Sequence, residues 1–201
     1  MFYSEKKTED FLEKNKFKVV TGAFVSNEKE LENALKRFNF PVVMKVSGEK
    51  IVHKNILGGI VINIKEKRTA LEAFGRLKII KYFEGVVIQE QVNGKEVLIG
   101  IKKTKDFGHA VCVGSGGINA EKLNDVSFRI FPFDNKEAKK MLSEIKISKK
   151  LSNEEKTLVE ENIMNVCGLI KKNLGISELD INPLMVNGSQ AVVVDARMVL
   201  D

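Results

Sequence analysis

Glu178-Leu179-Asp180-Ile181-Asn182-Pro183-Leu184, followed beyond the turn Asn187-Gly188 by Val192-Val193-Val194-Asp195-Ala196-Arg197, is the stretch whose reading decides the fold. Both runs are apolar and strand-sized, and an Asn-Gly pair between such runs is a hairpin signal. Residues two apart in a strand share a face, so Asp180 and Asn182 point the same way. The hairpin brings Asp195 back beside them. Hard oxygen donors gathered on neighbouring strands, with phosphate oxygens supplying the rest, are how Mg²⁺ is commonly held. An acidic residue at a strand end is also an ordinary surface group, so the pattern by itself leaves both readings open.

Working outward, the preceding segment predicts two helices over 135–146 and 153–173, the second carrying Val159, Ile163, Val166 and Ile170 at helical spacing. Before them come strands at Glu96–Ile101, His109–Val113 and Phe128–Phe131. The glycine cluster Gly114-Ser115-Gly116-Gly117 lies between the last two. That cluster could present backbone N–H groups to an anion, but it fits neither the Walker nor the dinucleotide pattern. Asn93-Gly94 predicts a second hairpin, between Val86–Gln91 and Glu96–Ile101. In the first half, residues 7–16 read as a short amphipathic helix and Ala23–Val25 as a strand. Ser26 or Asn27 caps a helix bearing Leu31, Ala34, Leu35 and Phe38. Pro41 ends that helix and opens the strand Val42–Val46; Gly59–Ile64 alternates as a further strand, and 66–82 returns to helical period. The mixture of helices with mostly antiparallel strands gives an α/β (α+β) class with two lobes.

Composition sets the outer bounds. The chain has 201 residues, 43% hydrophobic and 30% charged, which is globular composition. No apolar run approaches the roughly 20 residues that span a bilayer, and the N-terminal MFYSEKKTEDFLEKNKF lacks a signal-peptide core. A soluble, cytoplasmic protein is expected. The net charge of +6 comes mostly from lysines interleaved with glutamates, without the aromatic interleaving of a stacking platform. The expectation is therefore neither a nucleic-acid nor a membrane partner. Cys112 and Cys167 lie far apart and read as small buried thiols.

Three further constellations carry possible chemistry. Lys45 stands in Pro41-Val42-Val43-Met44-Lys45-Val46 with apolar neighbours on both sides. A buried ammonium needs an anionic partner, and phosphate suits it; a strand-edge lysine reaching solvent reads the same. Gln89-Glu90-Gln91 ends an apolar strand, where polar groups often face a ligand cleft. His53, in Ile51-Val52-His53-Lys54-Asn55-Ile56-Leu57-Gly58-Gly59, is one of two histidines. A neutral imidazole is nucleophilic near pH 7 and can accept a phosphoryl group, though a lone loop histidine is commonly plain surface.

In order, FPVVMKV, IVHKNILGGI, GVVIQEQVNGKEVLIGIKKTKDFG, VGSGGINAEKLNDVSFRIFP, ELDINPLMV and VVVDARMVL resemble the ATP-grasp β subunit of ADP-forming acyl-CoA (acetyl-CoA) synthetases. They are similar, more distantly, to the β chain of succinyl-CoA synthetase. The resemblance runs from about residue 7 to the end. DINPL is shared by many ATP-grasp proteins; the HK-x-x-x-GG loop together with GKEVLIG is more specific. The resemblance implies an ATP-grasp fold, with lobes over 1–89 and 90–201 around a nucleotide cleft. It implies ATP or ADP with Mg²⁺, and a CoA-binding α subunit as partner. It assigns Lys45 to the phosphates, Glu90 with flanking Gln89 and Gln91 to the adenine or ribose, and Glu96 to the nucleotide. Asn182 and Asp195 become Mg²⁺ ligands, with Asp180 next to them. His53 becomes the carrier that accepts phosphate from a phosphohistidine on the α subunit and hands it to ADP. The family's glycine- and arginine-containing segment between the last two helices is replaced here by the short, lysine-rich Lys146–Ser152. That difference motivates a second reading, a non-catalytic nucleotide-binding regulatory or assembly subunit. An ATP-grasp ligase joining a carboxylate to an amine would leave His53 unused.

Overall fold

The computed structural model describes residues 1, 3, 5–48, 50–51, 54, 57–117 and 125–201. Two compact units divide the chain: Val20–Gln91 forms one, and Met1–Val19 with Val92–Asp201 forms the other. The sequence expectation of lobes over 1–89 and 90–201 differs in the ownership of the first nineteen residues. Their helix α1 (Glu5–Lys14) buries Leu12 in the core of the second unit, and the Val193 N–H donates to the Lys18 carbonyl at 2.8 Å.

Within Val20–Gln91, the strands β1 (Gly22–Val25), β2 (Val42–Ser47), β3 (Ile60–Ile64) and β4 (Gly85–Glu90) form an antiparallel sheet in the order β1-β4-β2-β3. Helices α2 (Glu28–Leu35) and α3 (Lys67–Lys78) pack on one face. Asn27 starts α2 by accepting the Glu30 N–H at 3.0 Å, so the cap falls on Asn27 rather than Ser26. Leu31, Ala34 and Leu35 then meet Val42, Met44 and Val46, the alternate residues of β2, over Phe74 and Leu77 of α3.

The alternation expected of Gly59–Ile64 breaks. Val42 pairs with Ile64 but Met44 with Val61, so one residue of β2 faces two of β3, a β-bulge. Asn63 sits at φ 58°, a left-handed conformation that asparagine tolerates better than most residues. Ile64 is fully buried while Ile62 is exposed.

In the second unit, β5 (Lys95–Thr104), β6 (Gly108–Ser115), β7 (Val126–Ile130), β8 (Ile176–Asn187), β9 (Gln190–Val193) and β10 (Ala196–Leu200) make an antiparallel sheet. Helices α4 (Asn135–Glu144) and α5 (Asn153–Lys172), joined by a 3₁₀ turn over Lys146–Lys150, cover one face. Val97, Ile99, Ile101, Val111, Val113, Leu179 and Ile181 point into that core with Met141, Val159, Ile163 and Val166.

Two expectations are corrected here. The Asn93-Gly94 turn does not join a hairpin: β4 pairs with β1 and β2, and β5 with β6 and β8, so this connection carries the chain from one sheet into the other. Gly94 is needed there for close packing, because a Cβ would lie 2.6 Å from the Val186 carbonyl oxygen. Second, the chain ends in three strands rather than two: β9 and β10 pair end to end along β8, with a break at Val194-Asp195. Cys167 is buried as expected, whereas Cys112 is partly exposed on the helix-free face. Among the described residues, no helix is long and apolar enough to cross a membrane.

Candidate functional site

The helix-free face of the large sheet collects the acidic and amide residues singled out from the sequence. At the break between β9 and β10, the Asn182 N–H donates to the Asp195 carbonyl at 3.1 Å, and the Val194 N–H donates to the Pro183 carbonyl at 3.2 Å. The hairpin thus sets Asn182 directly across from Asp195. Opposite, a register shift falls between Val97 and Ile99, and Pro183, with no N–H, cannot complete the ladder at this point. This local irregularity separates Asn182 from the regular pairing above and below it.

The glycine turn closes over the same spot. The Gly116 N–H donates to the Glu96 carbonyl at 2.8 Å, and the Gly117 N–H donates to Asn182 Oδ1 at 2.8 Å. Gly117 has φ +87°, and a Cβ there would stand 1.7 Å from Glu96 Oε2. Glu96, Gly117, Asn182 and Asp195 therefore form one group. The sequence singles out Glu96, Asn182 and Asp195 individually but Gly117 only as part of a glycine cluster that could face an anion, because nothing local to such a cluster says which strand it will fold onto.

Asp180 lies one step further along the same face, opposite Gly100 on β5 and Arg197 on β10. It borders a shallow depression of about 300 Å³ with Leu98, Gly100, Ala110, Cys112 and Phe128. Burial, and then the Asp180 charge, push the Cys112 thiol up to about 11, so it stays protonated at neutral pH.

In the smaller unit, Lys45 and Gln89 sit on the face of the sheet away from α2 and α3, across from Val87 and Val43 respectively. They are only 5% and 2% exposed. Burial of this kind selects for polar partners rather than solvent, which removes the strand-edge reading of Lys45. Glu90 pairs with Val42 and so turns to the other face from Gln89. Gln91 leaves the strand, and its Oε1 accepts the Asn63 N–H at 2.6 Å, satisfying the amide exposed by the β3 bulge. His53 lies outside the described residues, as do Asn119 and Ala120 of the glycine-loop sequence. His109 is buried, with Nε2 2.9 Å from the Ile176 carbonyl oxygen, a link between β6 and β8.

Among the described residues no three His, Cys, Asp or Glu side chains gather to make a closed metal site. The donors at Asn182 and Asp195 are instead a carboxamide oxygen and a carboxylate. Both are hard oxygens, and Asn182 Oδ1 retains a second lone pair beyond the Gly117 hydrogen bond. This set fits Mg²⁺, which takes one or two protein oxygens and completes its shell with water and phosphate.

The ATP-grasp domain model matches residues 2–200. Acetate--CoA ligase [ADP-forming] II of Archaeoglobus fulgidus is 37% identical over all of this chain, which spans 30% of that protein's length. The β subunit of acetate--CoA ligase [ADP-forming] I of Pyrococcus furiosus is 37% identical, covering 87% of this chain and 81% of that subunit. Acetyl-coenzyme A synthetase 1 of Ca. Korarchaeum cryptofilum, solved with coenzyme A and Ca-AMPCP, superposes with a TM-score of 0.89 at 26% identity, over 100% of this chain and 93% of that one. A second structure of the Korarchaeum protein holds coenzyme A and Mg-AMPPCP, its phosphohistidine segment pointing towards the nucleotide binding site. The chain belongs to the ATP-grasp domain family, alongside the β subunits of ADP-forming acetate–CoA ligases.

Proposed function

We propose that this chain is the nucleotide-binding component of an ADP-forming acyl-CoA synthetase: acyl-CoA + ADP + phosphate ⇌ carboxylic acid + CoA + ATP. The observation that supports the reading is the oxygen-rich group of Glu96, Gly117, Asn182 and Asp195 on a family scaffold. Asn182 and Asp195, with Asp180 beside them, hold Mg²⁺, which when bound neutralises charge on phosphate oxygens. Lys45 supplies a compact positive charge for phosphate oxygens of the nucleotide. Gln89 and Glu90 contact the base or ribose, and Glu96 the nucleotide. Gln91, committed to the Asn63 amide, supports that strand end.

His53 takes the phosphoryl group from a phosphohistidine on a CoA-binding α partner: one P–N bond breaks as another forms. It passes the group to ADP, whose terminal oxygen becomes the new bridging oxygen of ATP. Coenzyme A and the acyl group belong to the partner, so this chain alone binds nucleotide without completing the cycle. The assembly works in the cytoplasm.

The test is calorimetric titration with ADP, with and without Mg²⁺. Asp195→Asn is expected to weaken Mg-ADP binding at least tenfold, about 1.4 kcal/mol, with Mg-free ADP changed by less than threefold. Equal losses under both conditions would mean that Asp195 is not a ligand.

A further inference from the structure

Asn182 raises a question of orientation. A carboxamide presents an oxygen on one side and an NH₂ on the other, nearly the same in shape, and only the oxygen can face a cation. The surroundings must therefore decide which way round it sits. The Gly117 N–H does so: it donates to Oδ1 at 2.8 Å, and turning the amide over would set donor against donor. Gly117 reaches this position because the turn closes tightly onto β5. The Gly116 N–H is tied to the Glu96 carbonyl, and a Cβ on Gly116 would lie 2.8 Å from the Val97 carbonyl carbon. The approach also needs φ +87° at Gly117 and the absence of a Cβ, which would stand 1.7 Å from Glu96 Oε2. A single residue thus contacts two of the groups assigned to the nucleotide and the cation.

We propose that Gly117 is a positioning residue for the cation site, holding Asn182 with its oxygen available and setting the Glu96 carboxylate against the glycine turn. This inference rests on the Mg-nucleotide reading of the site. A side chain at residue 117 displaces the Glu96 carboxylate, and a residue that resists φ +87° shifts the backbone whose N–H bonds Asn182. The Asn182 amide then samples both orientations, and the cation loses a fixed ligand. Metal-free nucleotide has no such dependence.

The test measures ADP affinity with and without Mg²⁺ for the full chain, its Gly117→Ala and Gly117→Asn variants, and Gly117→Ala combined with Asn182→Asp. A carboxylate at residue 182 offers oxygen in either orientation, so the proposal expects coupling between the two positions. Gly117→Ala should lose at least tenfold in Mg-ADP affinity and less than threefold in Mg-free ADP affinity, the latter also reporting that the variant is folded. Gly117→Asn should lose less than Gly117→Ala, since asparagine tolerates a positive φ and keeps the N–H aimed at Asn182. In the Asn182→Asp background the loss should fall below threefold. Three results would overturn the proposal: equal losses in both backgrounds, equal losses with and without Mg²⁺, or an asparagine variant no tighter than the alanine variant. A wild-type chain that binds Mg-ADP no more tightly than ADP alone would overturn the nucleotide-cation reading as well.

Discussion

At the scale of single residues, the chemistry depends on polar groups that the fold holds in unusual surroundings. Lys45 is the clearest. It lies in a strand whose alternate residues Val42, Met44 and Val46 are fully buried, yet it faces the other way and is itself 5% exposed. Lys45→Met keeps the length and packing of the stem while removing the charge. Calorimetry is expected to give at least tenfold weaker ADP binding, with a single cooperative thermal melt showing that the variant stays folded. Unaltered affinity would reduce Lys45 to a packing residue.

Single residues also mark how far the sequence could be read. Asn182 and Asp195 were legible because strand alternation and one hairpin turn, both local rules, bring them together. Gly117 was not, since its importance comes from a contact with Glu96 and Asn182 that arises only once β5, β6 and β8 are side by side. Gln91 illustrates the opposite case. A polar residue at a strand end invites a ligand role, but its side chain serves a backbone amide freed by a bulge that hydrophobic patterning did not reveal.

At the scale of elements, helices followed their sequence signals more closely than strand connections did. Asn27, Asp134 and Ser152 each accept the N–H three residues on, since a cap is settled within four residues. Strand partnership depends on distant chain, and there the Asn93-Gly94 turn misled. The start of α5 shows how one side chain joins several elements. Glu155 completes a capping box with Ser152, pairs with Lys95 of β5 at 2.7 Å, and accepts the Gly188 N–H of the β8–β9 turn at 3.1 Å.

The Lys95 and Ser152 hydrogen bonds hold the Glu155 carboxyl at about 2, below its usual 4.5. A depressed folded-state value means stability fully present above about pH 4.5 and lost as pH falls toward 2. Glu155→Gln is expected to cost about 2 kcal/mol at pH 7, roughly 4–8 °C in Tm for a chain of this size. Thermal melts across pH 2–7 should show the gap between wild type and variant closing through that acid window. A gap independent of pH would assign the loss to shape rather than charge.

Across the whole molecule, the class, the mostly antiparallel sheets and the family were legible in the residues, but not which unit the first nineteen residues join. The switch between units falls at Gln91–Val92, and α1 joins the C-terminal unit through Leu12 and the Lys18–Val193 hydrogen bond. A short amphipathic helix shows which of its faces is apolar but not which core receives it. The relatives differ in length in a consistent way: the chain spans 81% of a separate β subunit but only 30% of a single-chain ligase.

The most direct measurement of this account is phosphoryl transfer from ATP labelled at the γ-phosphate, with Mg²⁺ and the CoA-binding partner present. The account predicts acid-labile label on this chain, as a phosphoramidate gives, and its loss in His53→Ala while ADP binding is kept. Tight nucleotide binding with no label on this chain, in the presence of a competent partner, would contradict it.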